Sequence, residues 1–167
     1  MILAVDSYHL GGVTRTAGVM FAALGDAKAN EEQTHEGPTP APYASGALYK
    51  RELPGILALL PRFTRRPALI LVDGYVSLAD GTPGLGWHLY DALGDKIPVI
   101  GVAKNPFDGA DQAREVHRGT SERPLYVTAA GLPGAQAARA ITLMHGEHRL
   151  PTLLKRVDAL SRRPEPA

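Results

Sequence analysis

Residues 67–107, PALILVDGYVSLADGTPGLGWHLYDALGDKIPVIGVAKNPF, decide the fold. Ala68 to Val72 is a near-continuous apolar run, too short for a helix, bounded by Pro67 and Gly74 and closed by one carboxylate, Asp73. Such a run reads as a strand buried on both faces of a helix-covered sheet. A second apolar run, Pro98 to Val102, leads into Lys104, and between the two lie a Gly- and Pro-containing loop and a helical segment at Leu85 to Leu93. An acid and a base therefore leave neighbouring strand ends on the same side, where an open α/β sheet keeps its chemistry.

Upstream, Met1 to Val5 is apolar and ends on Asp6, repeating the strand-then-carboxylate arrangement. Gly11 and Gly12 announce a tight hairpin into a second strand, Val13 to Leu24. A third, edge strand is expected within Asp26 to Glu36, where the exposed charges Glu31 and Glu32 discourage further pairing. The loop GPTPAPYAS (37–45) is too rich in proline for helix or central strand, and it carries Tyr43, which either pins the loop to the core or serves another purpose. From Gly46 the spacing of Leu48, Ile56, Leu57, Leu59 and Leu60 is helical, with Glu52 inside the pattern and Pro54 expected to start or kink the helix. Arg62, Arg65 and Arg66 read as a solvated helix end.

Downstream of Lys104, Arg114 to Arg118 and Leu125 to Ala129 suggest a hairpin. Two helices follow, Pro133 to Met144 and an amphipathic Leu150 to Leu160 with Pro151 in its first turn. The expectation is a single domain over 1–161 and a charged, Pro-containing, disordered tail over 162–167.

Composition narrows the function classes. Lys and Arg number 18 against 17 Asp and Glu, so no bulk field advertises a polyanion and any nucleic-acid contact must come from local patches. There is no cysteine, which removes disulfides, thiolate catalysis and cysteine-ligated zinc. No apolar stretch approaches the ~20 residues needed to span a membrane, and the amino terminus lacks a signal-peptide pattern. A cytoplasmic protein without membrane contact is expected.

Asp6 and Asp73 at strand ends, with Glu52 on a helix that could lie across them, have the placement that a divalent-cation site needs. Hard oxygen donors suit Mg²⁺, with Mn²⁺ as the alternative. Three carboxylates that close repel one another, so at least one should have a raised pKa. The competing reading is that strand-end aspartates cap a turn or a helix.

Six collinear blocks add to this: ILAVDSYHL (2–10), PYASGALYKRELPGI (42–56), LILVDG (69–74), PGLGWHL (83–89), IPVIGVAK (97–104) and PLYVTAAG (124–131). In this order they resemble the signature blocks of the endonuclease V family. The separations of Asp6, Glu52 and Asp73, 46 and then 21 residues, fit the same layout. The resemblance implies an RNase H-like α/β fold, a mixed five-stranded sheet flanked by helices. It also implies a Mg²⁺-dependent endonuclease, acting on inosine-containing DNA or RNA and cutting 3′ to the lesion, one nucleotide removed; a monomer is expected. By the same resemblance Asp6, Glu52 and Asp73 are metal ligands and Lys104 is the active-site lysine. Tyr43 is the aromatic that wedges into the duplex, and Gly46 and Gly84 line the pocket for the extruded base.

The chain departs from the pattern in places. Pro42-Tyr43-Ala44-Ser45 stands where the family has Pro-Tyr-Ile-Pro, and Ala79 and Leu132 stand where it has histidines. Two readings follow: an active nuclease, and a diverged relative that binds nucleic acid or a protein partner without efficient cleavage.

Overall fold

The structure, a computed structural model, describes residues 1–110 and 112–163. The chain builds one mixed sheet from β1 (Ile2–Leu10), β2 (Val13–Phe21), β3 (Glu31–Pro38), β4 (Leu69–Asp73), β5 (Val99–Ala103), β6 (Arg114–Val116) and β7 (Leu125–Ala130). The helices are α1 (Tyr49–Leu59), α2 (Leu85–Ala92), α3 (Gly134–Leu143) and α4 (Thr152–Arg162). The strand order is β3-β2-β1-β4-β5-β7-β6, seven strands where five were expected. The five are there, with β1, β4 and β5 parallel and β2 and β3 antiparallel on one flank. The other two are the hairpin read from the sequence: β7 pairs antiparallel with β5 and carries β6, so the hairpin lengthens the same sheet.

Alternation along the strands divides the core into two layers. Leu3, Val5, Ile70 and Val72 face one way and pack with Ile56 and Leu59 of α1 and Leu85 and Leu89 of α2. Ala4, Leu71, Ile100 and Val102 pack on the other side with Ala137 and Ile141 of α3 and Leu153 and Val157 of α4. Asp6 and Asp73 continue the second set, so both carboxylates point toward the face that α4 covers.

Several boundaries differ from expectation. Asp6 does not end its strand: β1 runs on to Leu10 in antiparallel register with β2, while its parallel pairing with β4 stops at Val5 and Val72. Asp6 thus sits where the parallel ladder ends. β2 stops at Phe21, and Asp26 turns the chain by accepting from the amides of Ala22 and Ala23. β3 starts later and runs through Pro38, tolerated on an edge strand. α1 continues across Pro54, five residues after its start, so the proline removes one helical hydrogen bond without ending the helix. Arg162, assigned to a disordered tail, closes α4, and residues 164–167 lie outside the described residues. No helix among the described residues is long and apolar enough to cross a membrane.

α1 seats tightly on β2. A Cβ added at Gly55 would lie 2.4 Å from Thr16 Oγ1, whose residue is fully buried. Gly55→Ala is therefore expected to lower unfolding stability by about 1–3 kcal/mol through overpacking. Placed in a Thr16→Ala background, the same change should cost much less; equal losses in urea melts of both backgrounds would show that this contact does not set the helix position.

Candidate active site

Asp6, Asp73 and Asp158 meet at the end of the parallel ladder, each offering an oxygen within 4.8 Å of the other two. Asp6 comes from β1, Asp73 from the end of β4 and Asp158 from α4. Lys104, one residue past β5, places Nζ 3.3 Å from Asp73 Oδ2 and 3.4 Å from Asp158 Oδ1. Ser161, one turn after Asp158, lies with Oγ 3.0 Å from Asp6 Oδ2. Arg162 donates to Asp158 Oδ1 across 3.2 Å, and Arg149 donates to the Lys104 and Pro124 carbonyls, fixing the backbone that carries the lysine.

Charge at this point is under stress. Burial, and then the Asp73 carboxylate, push Asp6 up to about 7, with Glu52 adding to the rise and the Ser161 hydroxyl and Lys104 opposing it. Burial alone draws the Lys104 ammonium down, but Asp73 and Asp158 outweigh it and hold the lysine above its ordinary value. The donors are all oxygens, and a nearby dication would lower the Asp6 pKa; this donor set fits Mg²⁺ or Mn²⁺.

Glu52 approaches from the opposite layer. It is a buried residue of α1, near enough for its charge to act on Asp6 and for Asp73 to act on it, yet it is not part of the three-oxygen cluster. Its Oε1 lies 3.3 Å from Nε2 of His9. Burial raises its pKa, and the bond from His9 works against that rise.

Beside the acids is a second concavity of about 170 Å³, and Tyr43, Gly46 and Gly84 all line it, together with Leu48, Tyr75 and Phe107. Tyr43 is 72% exposed, so it does not pin its loop to the core. Gly46 has φ +75°, a left-handed conformation that favours glycine, and a Cβ at Gly84 would lie 2.5 Å from the Tyr75 carbonyl oxygen. Tyr75 is anchored by its hydroxyl, which donates to the Asn105 carbonyl across 2.7 Å. Asp73 lines the acidic hollow and Gly74 the apolar one, so a single peptide separates the two.

Sequence reasoning missed Asp158. Its signal lay in the amphipathic pattern: Leu150, Leu154 and Asp158 follow at steps of four, placing a carboxylate in line with an apolar stripe.

The profile of the family described as Endonuclease V matches residues 1–142. This chain belongs to the endonuclease V family. The Endonuclease V of Streptomyces avermitilis is 33% identical over 90% of this chain and 73% of its own length. That of Streptomyces coelicolor is 36% identical over 78% of this chain and 64% of its own length. Among solved structures, the catalytic domain of human Endonuclease V superposes with a TM-score of 0.81 at 23% identity, covering 96% of this chain and 80% of its own. Ciona intestinalis Endonuclease V, in complex with DNA containing an inosine followed by a ribo-adenosine, superposes at 0.77 with 18% identity, covering 96% and 83%. The RNase H-like fold stands, with its sheet extended to seven strands. The profile match stops before α4, so Asp158 and Ser161 lie beyond the matched residues of this endonuclease V chain.

The stressed acid has a measurable consequence in metal-free buffer. With a folded pKa of about 7 against the ordinary 3.8, Asp6 keeps in the native state a proton that the unfolded chain has released. Its contribution to stability is fully present at low pH and is lost as pH rises from about 4 through about 7. Asp6→Asn should therefore melt higher than the wild type at pH 8, by on the order of 2 kcal/mol, and should not do so at pH 4. A variant less stable than wild type at pH 8 would contradict this.

Proposed function

We propose that this chain is a divalent-metal-dependent endonuclease that hydrolyses a phosphodiester on the 3′ side of a deaminated base, chiefly inosine, in DNA or RNA. The observation that carries the reading is the adjacency of the two hollows. An acidic cluster with a lysine stands one peptide away from an apolar cavity bearing an exposed tyrosine on its rim. Family membership and the inosine-containing DNA bound to the Ciona relative support the same substrate class.

Asp6, Asp73 and Asp158 would hold the cation, with Glu52 at its edge. When bound, the metal supplies Lewis acidity to the scissile phosphate and a lowered pKa to the attacking water. Lys104, anchored between two aspartates, offers its ammonium to charge that develops on the phosphate oxygens. Tyr43, exposed on a loop stiffened by Pro40 and Pro42, enters the stack where the base leaves. Extrusion costs a few kcal/mol, least for a mispaired base, so lesions are favoured before any pocket contact forms. The base then lies among Leu48, Tyr75 and Phe107, with the close approach at Gly84 letting backbone edges reach it.

Ala79 and Leu132, standing where the resemblance places histidines, favour the second reading, a strand-binding relative without cleavage. The acidic cluster argues against it, because crowding carboxylates beside a partly buried lysine is costly without a use.

Purified protein with Mg²⁺ or Mn²⁺ should nick an inosine-containing oligonucleotide, and Asp73→Ala and Asp158→Ala should each reduce the rate by at least ~100-fold. Absence of metal-dependent cleavage on inosine-containing DNA and RNA alike would overturn the enzyme reading and leave the binding one. Tyr43→Ala should slow cleavage of duplex more than of single-stranded substrate; equal losses would assign Tyr43 to loop structure.

A further inference from the structure

His9 lies outside the three-aspartate cluster yet reaches the site. Asp6 and His9 are three residues apart on β1, so alternation sends His9 to the opposite layer, the one α1 covers, where Glu52 arrives. The imidazole joins a continuous chain: Glu52 Oε1 is 3.3 Å from Nε2, Nδ1 is 2.7 Å from Thr14 Oγ1, and Thr14 Oγ1 is 2.9 Å from Thr39 Oγ1. Thr14 is the cross-strand partner of His9 and is 4% exposed; the His9 and Glu52 side chains are 16% and 9% exposed. Thr39 is itself fixed by its amide, which donates to the Gly12 carbonyl across 2.8 Å. It also opens the segment that carries Tyr43.

The proton inventory gives this chain one direction. A hydroxyl has one proton to donate, and a neutral imidazole has one N–H and one lone pair. With Glu52 ionised, Nε2 must carry the proton, because a lone pair there would face a carboxylate. Nδ1 then accepts from Thr14, and Thr14 accepts from Thr39. Each group is used once. The reverse order requires a protonated Glu52 or an imidazolium with a proton on each nitrogen.

We propose that His9 is a positioning residue for the nuclease centre: donating Nε2–H to Glu52 and steadied at Nδ1 by Thr14 and Thr39, it fixes one oxygen of Glu52 and leaves the other facing the acidic cluster. This rests on the nuclease reading of that cluster. It places a second layer of control on β1, whose Asp6 serves the cluster directly while His9 serves it through Glu52. Carboxylates and histidines around metal centres owe their orientation to such outer contacts, whose loss typically costs about 10- to 100-fold.

The test has a structural arm and a kinetic arm. Long-range ¹H–¹⁵N correlation spectra of the full chain in Mg²⁺ buffer should show His9 as the Nε2–H tautomer, and Glu52→Gln, whose amide can face either a ring N–H or a ring lone pair, should release it into a mixture. An Nδ1–H imidazole in the wild type would overturn the proposal whether or not the protein cleaves anything, which separates its failure from that of the nuclease reading. Titration with Mn²⁺ should show weaker binding in His9→Ala by about 10-fold. In the inosine nicking assay His9→Ala should lower kcat about 10-fold or more with KM unchanged. His9→Gln, whose amide N–H can stand in for Nε2–H, should recover most of that loss. In a Glu52→Gln background His9→Ala should have no further effect on either measurement. An undiminished Mn²⁺ affinity in His9→Ala, or the same loss with and without Glu52, would contradict it. If His9→Ala fails to fold, His9→Phe, which keeps a ring but has no N–H for Glu52, carries the same comparison with His9→Gln.

Discussion

Two carboxylates held side by side at the end of a parallel strand pair are the constraint around which this molecule is arranged. β1 and β4 pair only as far as Val5 and Val72, and the next residue on each strand is an aspartate. Gly74 turns the chain away, with its amide bonded to the Val102 carbonyl, so the acids stand at an open end of the ladder instead of inside it. Burial and mutual repulsion then keep Asp6 at a pKa near 7. Everything nearby answers that charge: Lys104 bridges two aspartates, Ser161 offers a hydroxyl to Asp6, and a dication would complete the balance.

The sheet's alternation decides which elements can take part. Asp6 and Asp73 point to the face of α3 and α4, so α4 can add Asp158 and Ser161 directly. α1 lies on the other face, pressed onto β2 at Gly55 and Thr16, and its Glu52 reaches the same end of the sheet from behind. The apolar cavity lies where the chain leaving Asp73 turns toward α2, and Tyr43 to Gly46 form its other wall. The acidic cluster and the apolar cavity are thus consecutive along the backbone, as the proposed cleavage at a fixed distance from a lesion would need.

Much of this was legible in the sequence, for identifiable reasons. The buried strands around Asp73 and Lys104 have runs too short and too apolar to be anything else, and the strand of Asp6 repeats the pattern. The strand count exceeds the expected five because the hairpin of β6 and β7 joins the sheet through β5, and hydrogen bonding between β5 and β7 leaves no periodicity in either strand. Asp158 was missed because a charged residue on an amphipathic helix normally faces water. Only its alignment with Leu150 and Leu154 distinguishes it. His9 carried no signal, since its partners Thr14, Thr39 and Glu52 converge through tertiary packing. Tyr43, ambiguous between anchor and wedge, resolves as exposed because the proline-stiffened loop holds it away from the core.

In the proposed nuclease centre, one cation is shared by β1, β4 and α4. A crystal soaked with Mn²⁺ and measured for anomalous scattering tests it most directly. The prediction is a peak within bonding distance of Asp6 and Asp73 with Asp158 in its coordination shell, and Lys104 Nζ moved off Asp73. A peak held by Glu52 and Asp73 with Asp158 still paired to Lys104, or no peak at the end of the ladder, would contradict it.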